Sequence, residues 1–556
     1  MSATPVVWLS IHDHVRARGT WDQGMLEALF DQSLWRVPSS PGFTHHLDVD
    51  EVNSGGGVVV VSGRYFNRGD VVRLNRRLAQ LDWVILFVTS DEENTFPLDA
   101  LDHPAVDVWV MTPDPARDWP PGVRFLGSGW PPHMRGELPQ QPPERRRDVF
   151  FAGQVTHQRR RQCANSLATL DGVDLTRTKG FTQGLEAGDY YRRMREAKLA
   201  ACPSGPVSVD SMRLFEALEA GCVPLADGRT PAGPAHDYWT LIFAGPPPFP
   251  VIDQWTQLGD ILPDLLDGWP ANAVACSAWW QAWKRRWAWD VADQITARRG
   301  EIRSRRPDDA VTVLVPTSPI SAHPDTATIE ATVASIRDRL PAAEILVMCD
   351  GVRPEQAHYT DRYQRYLQRL MWLCNTAWSN VCPVVFDGHR HQAAMTAHTL
   401  NLVHTPLLCF VEHDTPLVGD IDLESVCAEI FDGDFDLIRF HHESHVLDEH
   451  KHLMVDTVGA QVTNWRPGVA RTVQWSQRPH VASTAWYRQI LAAHFSGTSR
   501  TMIEDVMHSV VEDAWRADGE MGWWRYRLGL YNPGGNIQRS THIDGRGADP
   551  KYSMTR

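Results

Sequence analysis

Lysine is nearly missing from this chain of 556 residues: five of its 54 basic residues are Lys and the other 49 are Arg. That bias, with abundant Ala, Gly and Trp, reflects a GC-rich coding sequence of actinobacterial type, or of a phage of such a host, rather than a physical requirement. Also lacking is any run of about eighteen apolar residues, so no membrane span is expected. The first residues do not have the basic-then-apolar layout of a secretory signal. Nine cysteines are scattered without a C-x-x-C pair, which excludes a disulfide framework or zinc ribbon and fits a reducing cytoplasm. There is no low-complexity tract, and a composition of 43% hydrophobic and 22% charged residues is that of a globular protein. Nor is there a surplus of positive charge. The formal net charge of −14 argues against non-specific affinity for nucleic acid or anionic membrane, while leaving room for a local basic groove.

What is present is a long series of short apolar runs separated by helical periodicity, and the length calls for two or three domains. Val6–Ile11, Gly57–Ser62 and Trp83–Thr89 read as strands, with the helical segment Val71–Leu81 among them. A proline-rich stretch with Trp119-Pro120-Pro121, Trp130-Pro131-Pro132 and Gln141-Pro142-Pro143 marks a crossing between lobes. A second β/α series opens at Asp148-Val149-Phe150-Phe151-Ala152-Gly153. It closes with the Trp-rich helical segment Ala278–Trp289, followed by a polar, basic linker over Ala297–Asp309. A third opens at Val311–Pro316 and runs through the strands Glu344–Cys349, Val381–Phe386 and Pro406–Val411. This rhythm predicts an α/β fold with mostly parallel sheets, divided as 1–140, 148–300 and 310–556.

The most specific string runs from Leu199-Ala200-Ala201-Cys202-Pro203-Ser204-Gly205 to Asp210-Ser211-Met212-Arg213-Leu214-Phe215-Glu216-Ala217-Leu218-Glu219-Ala220-Gly221-Cys222-Val223-Pro224. It reads as strand, loop, helix, glycine stop and strand, so loop amides and a helix N-terminus can receive phosphate. Arg213 and Glu216 fall on one helical face, where Arg213 can fork onto a diphosphate and Glu216 can accept ribose hydroxyls. The bland alternative is an amphipathic helix with Leu214, Ala217 and Leu218 inward. The string resembles the donor lobe of exostosin-type GT-B glycosyltransferases. The resemblance implies two Rossmann-like lobes, a nucleotide-sugar donor bound without metal, and Gly153 and Ser204 beside the donor. It also places Thr156 and the basic segment His157–Arg161 there, although Arg159–Arg161 are equally well read as a solvated charge run.

In the third series, acids stand at the carboxyl ends of predicted strands, where parallel sheets place ligands: Asp350 after Cys349, and Glu412-His413-Asp414 after Val411. Glu412 and Asp414, two apart in extended chain, face one side and suit a hard divalent cation. Val311–Ser318, Asp350 and Glu412-His413-Asp414 together resemble a GT-A glycosyltransferase domain of the family-2 type. That likeness implies donor binding by Pro316 and Asp350 and a Mn²⁺ or Mg²⁺ ion on Asp414, Glu412 and His542. It also implies a catalytic base at Asp505, in Glu504-Asp505, with Glu512-Asp513 as a rival pair. Glu412 departs from the usual Asp at its position. The clusters His389/His391 and His441/His442/His445 lack the thiolate pattern of a zinc site.

The combined expectation is a tandem, inverting glycosyltransferase in the cytoplasm, transferring from nucleotide-sugar donors to a glycan or other acceptor hydroxyl. A phage enzyme acting on hydroxylated or hydroxymethylated DNA bases is the main alternative, with the Arg145–Arg147 and Arg159–Arg161 triplets on DNA phosphates. A non-catalytic carbohydrate-binding protein, stacking sugars on some of its 23 tryptophans, is another.

Overall fold

The computed structural model describes residues 6–9, 22–31, 43–44, 57–101, 106–132, 134, 142–180, 184–235, 237–243, 245–299, 306–458, 461–535 and 537–543. The chain divides into two compact units, Met1–Ile302 with Asn375–Ala377, and Arg303–Cys374 with Trp378–Arg556. Among the described residues no helix is long and apolar enough to cross a membrane. All nine cysteines are buried and none is in a disulfide.

The first unit holds two parallel sheets. Strands β1 (Val6–Leu9), β2 (Phe43–Thr44), β3 (Gly57–Ser62), β4 (Val84–Thr89), β5 (Val106–Met111) and β6 (Arg124–Leu126) lie in the order β2-β1-β3-β4-β5-β6. β3 and β4 are buried on both faces, which is why they read as unbroken apolar runs. Strands β7 (Arg147–Gln154), β8 (Val173–Thr178), β9 (Ala197–Cys202), β10 (Val223–Asp227) and, past the short hairpin β11 (Arg229–Thr230) and β12 (Gly233–Pro234), β13 (Val251–Ile252) form the second sheet, in the order β13-β10-β9-β7-β8.

The Trp-rich segment is a helix of 31 residues, Trp269–Arg299, so it extends into what the sequence suggested was a linker. Side-chain anchors on both sheets account for its length. Trp280 Nε1 donates to Glu219 at 2.7 Å near the second sheet. Gln294 accepts from Trp109 Nε1 at 2.7 Å, and Arg298 grips Asp107 at 2.7 and 3.0 Å, both partners on β5. Gly127, just after β6, approaches the helix Met212–Glu219 so closely that a Cβ there would lie 1.8 Å from the Phe215 ring. Ser128 next to it donates from its amide and hydroxyl to Asp210, at 3.0 and 2.9 Å.

The second unit holds strands β14 (Val311–Thr317), β15 (Glu344–Cys349), β16 (Val381–Val385), β17 (Leu407–Phe410), β18 (Leu437–Arg439), a short hairpin of β19 (Thr457–Val458) and β20 (Gln461–Val462), then β21 (Val469–Arg471), β22 (His480–Ser483) and β23 (Leu528–Tyr531). Its main sheet has the order β16-β15-β14-β17-β22-β18-β23-β21. The pairings from β16 through β17, and that of β18 with β23, are parallel; β22 and β21 run antiparallel to their neighbours. The architecture is therefore α/β with mostly parallel sheets, as expected.

Candidate functional sites

In the first unit the candidate side chains gather where β7 and β9 end and the helices Gln158–Leu167 and Met212–Glu219 begin. Arg213 lies over the Phe151 ring, 4.8 Å from its centroid, and its Nη2 donates to the Ala152 carbonyl at 2.8 Å. Its buried Nε and Nη1 have no acceptor among the described residues. Gly153 leaves room for this approach, since a Cβ there would stand 2.4 Å from Nη2 and displace the guanidinium. Arg160 donates from Nε to the Ser204 carbonyl at 3.1 Å and from Nη1 toward the Gln154 carbonyl at 3.5 Å. Burial, and then the charge of Arg213, push Arg160 down to about 10. Two guanidiniums held by carbonyls rather than carboxylates retain their attraction for an anion. His157 stands beside them, and burial followed by the Arg160 charge holds it below its ordinary pKa.

Glu216 is 4% exposed and accepts hydroxyls from Tyr190 at 2.7 Å and Tyr191 at 3.1 Å. The sequence reading missed both tyrosines. Ser204 donates its amide to Asp227 at 3.0 Å, and its buried hydroxyl has no partner among the described residues.

The arginine triplets separate into different tasks. Arg159 is buried in an ion pair with Asp227, and Arg161 reaches the Thr156 carbonyl at 3.3 Å. Arg145 is consumed by the carbonyls of Arg195, Ala197, Ala220 and Gly221, at 2.6 to 3.0 Å, while Arg146 makes an exposed pair with Glu144. Within the triplets, Arg145 and Arg159 are thus taken up by internal partners.

In the second unit Asp350 is largely occupied. Its carboxylate accepts the amides of Gly351 at 2.9 Å, Arg390 at 2.7 Å and His391 at 3.1 Å, and His389 Nδ1 stands 2.8 Å from Oδ2. This shapes the loop in which His391 adopts φ 64. Pro316 lies on β14, and its carbonyl receives the His413 amide at 3.3 Å, tying the strand to Glu412-His413-Asp414. Asp414 is 3% exposed, and its carbonyl accepts the Ile543 amide at 2.9 Å, which brings His542 beside it. The His542 ring is 4.7 Å from that of His442, whose Nδ1 lies 2.5 Å from Ser540 Oγ and whose buried Nε2 has no partner among the described residues. His442, whose histidine cluster the sequence offered only as a zinc alternative, thus stands next to the candidate His542.

Glu412 is turned toward Gln392, which donates to it at 3.1 Å and accepts the Ile503 amide at 3.0 Å. Gln392 therefore links the acid segment to the start of the helix Ile503–Asp518, whose first turn carries Glu504 and Asp505. Glu504 accepts the Gln477 amide at 2.9 Å, whereas Asp505 is exposed with no partner among the described residues. The rival pair Glu512 and Asp513 is engaged by Arg516 at 2.6 and 3.1 Å. Among the described residues no three His, Cys, Asp or Glu side chains are gathered closely enough to hold a metal ion unaided. Asp414, Glu412 and His542 are accordingly not a preformed cage. Mg²⁺ and similar ions, however, commonly take one or two carboxylates and complete their shell with water and substrate phosphate. Asp414, buried and joined through its carbonyl to the Ile543 amide next to His542, is one carboxylate that could serve in that mode.

No protein-family model matches the chain, and no curated protein matches it. Among solved structures it is similar to the mannosyltransferase PcManGT from Pyrobaculum calidifontis in complex with GDP-Man and Mn²⁺, at 13% identity and TM-score 0.28 over 50% of this chain and 69% of that one. It is also similar to S. aureus TarS, at 12% identity and TM-score 0.26 over 42% of this chain and 37% of that one. A third likeness is to a CMP:2-keto-3-deoxy-manno-octonic acid synthetase complexed with CTP, at 10% identity and TM-score 0.23 over 40% of this chain and 88% of that one. At these scores the likenesses carry no argument about activity.

Proposed function

We propose that the chain is a tandem glycosyltransferase: a two-lobed, metal-independent unit over residues 1–140 and 148–300, followed by a metal-dependent unit over 310–556. The observation that carries the reading is the pair Arg160 and Arg213. Their guanidiniums are held by main-chain carbonyls at the ends of parallel strands and beside helix N-termini, the arrangement that receives a diphosphate. In this unit Arg213 and Arg160 take the departing diphosphate, Gly153 allows its approach, Ser204 lies at the phosphate loop, and Glu216, steadied by Tyr190 and Tyr191, accepts ribose hydroxyls.

In the second unit Asp414, with His542 and His442, would hold a divalent cation, which when bound neutralises charge on the leaving diphosphate. Glu412 acts through Gln392 to position the helix bearing Asp505. Asp505 accepts the proton of the acceptor hydroxyl as its oxygen attacks the anomeric carbon, giving inversion. Asp350 shapes the donor loop, with Pro316 at its floor.

A nucleotide-release screen of UDP-, GDP- and dTDP-sugars, with and without Mn²⁺, tests the proposal on wild type, Asp414→Asn and Glu216→Ala. Metal-dependent release that needs Asp414 for one donor, and metal-independent release that needs Glu216 for another, is the expected result. No turnover of any donor, with glycan and hydroxymethylated-DNA acceptors supplied, would leave a binding protein as the better account.

A further inference from the structure

Trp465, Trp523 and Trp524 come together in the second unit and have no part in the reading above. Phe435, just before β18, packs edge-on against Trp465 and Trp523, with ring centroids 5.4 and 6.0 Å apart. Trp523 is buried, and its Nε1 donates to the Leu528 carbonyl at 3.1 Å. Arg466 and Arg471 stand over the Trp465 ring at 4.9 and 5.3 Å, and Arg471 stands over Trp523 at 4.9 Å. These two rings are thereby fixed in place.

Trp524 differs from them. It is 43% exposed and meets its neighbours only by edges, Trp465 at 5.8 Å and 86° and Trp523 at 5.2 Å and 72°. Among the described residues no ring stacks on Trp524 and no cation stands over it. Met521, three residues earlier in the short helix Glu520–Trp524 and so on the same side, is 67% exposed. The outcome is an open indole on a rigid aromatic base, with a thioether beside it.

The rim says what can cover it. Arg466 is paired with Asp434 at 2.7 Å, Arg471 with Asp456 and Glu520, and Arg525 with Asp518. With these cations neutralised, nothing here draws a phosphodiester or an anionic lipid surface, which the net charge of −14 also repels. Asn464, next to Trp465, exchanges side-chain amide hydrogen bonds of 2.8 Å with Asn532 at the surface, so polar groups without charge are also present. Two exposed apolar side chains fall far short of the roughly 800 Å² per partner that a stable dimer buries. An aromatic face bordered by neutral polar groups matches a sugar ring, apolar across its C–H face and polar around its edge.

This surface lies away from the acid site. β18 and β23 are parallel to each other and, through the antiparallel β22, run in the same direction as β17. Phe435 and Trp523 precede β18 and β23 and so mark their amino ends, whereas Glu412-His413-Asp414 follow the carboxyl end of β17.

We propose that Trp524, with Met521, is a sugar-binding platform that takes the C–H face of a neutral glycan with equatorial hydroxyls. The claim does not rest on the transferase reading. Calorimetric titration of the full chain with cellohexaose, with no donor present, tests it, and hexagalacturonate and phosphatidylglycerol vesicles are titrated alongside. Cellohexaose is expected to bind, at least about tenfold more weakly to Trp524→Ala, while Trp524→Phe, which keeps a ring, retains more of the affinity. Three results would overturn the assignment: no cellohexaose binding, equal binding by wild type and Trp524→Ala, or equal binding by the Ala and Phe variants. Trp524-dependent binding that favours hexagalacturonate or the vesicles, or a dimer in sedimentation that Trp524→Ala dissociates, would overturn it too. Because no donor is used, a chain that releases no nucleotide but binds cellohexaose through Trp524 would sink the transferase reading alone.

Discussion

The two units place their candidate side chains at equivalent architectural positions, beyond the carboxyl ends of parallel strands, and give them opposite charge. In the first unit the central groups are Arg160 and Arg213, anchored on carbonyls and free to meet an anion directly. In the second they are Asp414 and Glu412 with neighbouring histidines, which meet a diphosphate favourably only through a cation. The supporting acids differ as well. Asp227 works as a buried counter-ion in the first unit, whereas Asp350 mainly collects main-chain amides in the second. On the proposed function, one strand-end geometry would serve two ways of handling phosphate, with local charge selecting between them.

The largest expected effect separates those two acids. Asp227→Ala strands the buried Arg159 and strips acceptors from the Ser204 and Arg229 amides and from Trp255 Nε1. Removing one partner of a buried pair costs about 3–5 kcal/mol. Asp350→Ala unpairs amides without exposing a buried cation and should cost about 1–3 kcal/mol. Urea denaturation of both variants measures the gap; equal losses would erase the distinction.

Next comes pH. Asp210 ionises near 3.8 in an unfolded chain but is raised by burial to about 6 in the fold. The folded state holds the extra proton between these values, so stability from this group falls by about 3 kcal/mol as pH rises from about 4 to about 6. His441, His442 and His480 behave in the opposite sense. Burial lowers them from 6.5 to about 4, 3 and 4, so the second unit loses stability as pH falls from 6.5 toward 4. Limited proteolysis in urea at pH 4.5 and 6.5, with fragments assigned by mass, should show the second unit weakening on acidification, while Asp210→Asn flattens the first unit's slope.

A smaller effect sharpens the charge contrast. Arg213→Gln should weaken metal-free binding of a nucleoside diphosphate about tenfold to a hundredfold, as expected for a lost charged hydrogen bond of about 1.5–3 kcal/mol, with Mn²⁺-dependent binding unchanged. The smallest is Gly153→Ala, whose Cβ would press on Arg213 Nη2. It should weaken the same binding less than Arg213→Gln does. A loss larger than that of Arg213→Gln would show that Gly153 serves more than this contact.

Much of this was legible in the sequence because it is local. β3, β4, β14 and β15 are short, mainly apolar runs, and Arg213 and Glu216 share a helix whose glycine stop follows at once. What escaped depends on partners distant along the chain. Tyr190 and Tyr191 reach Glu216 from another helix, Gln392 joins Glu412 to Ile503, and His442 meets His542 across about a hundred residues. Strands of three or four residues such as β18, β21 and β23 carry too little periodicity to be read. The extension of the Trp-rich helix into a polar segment depends on Gln294 and Arg298 finding β5, a tertiary bond that no local pattern announces.

That helix also has a consequence for how the protein is made. Trp109 and Asp107 obtain their partners from residues 185 and 191 positions downstream. At about 5–20 residues per second, a ribosome needs roughly 10–40 s to deliver them after β5 has emerged. During that interval the nascent first sheet presents its β5 face without its permanent cover, which makes this the period when a chaperone would be most needed.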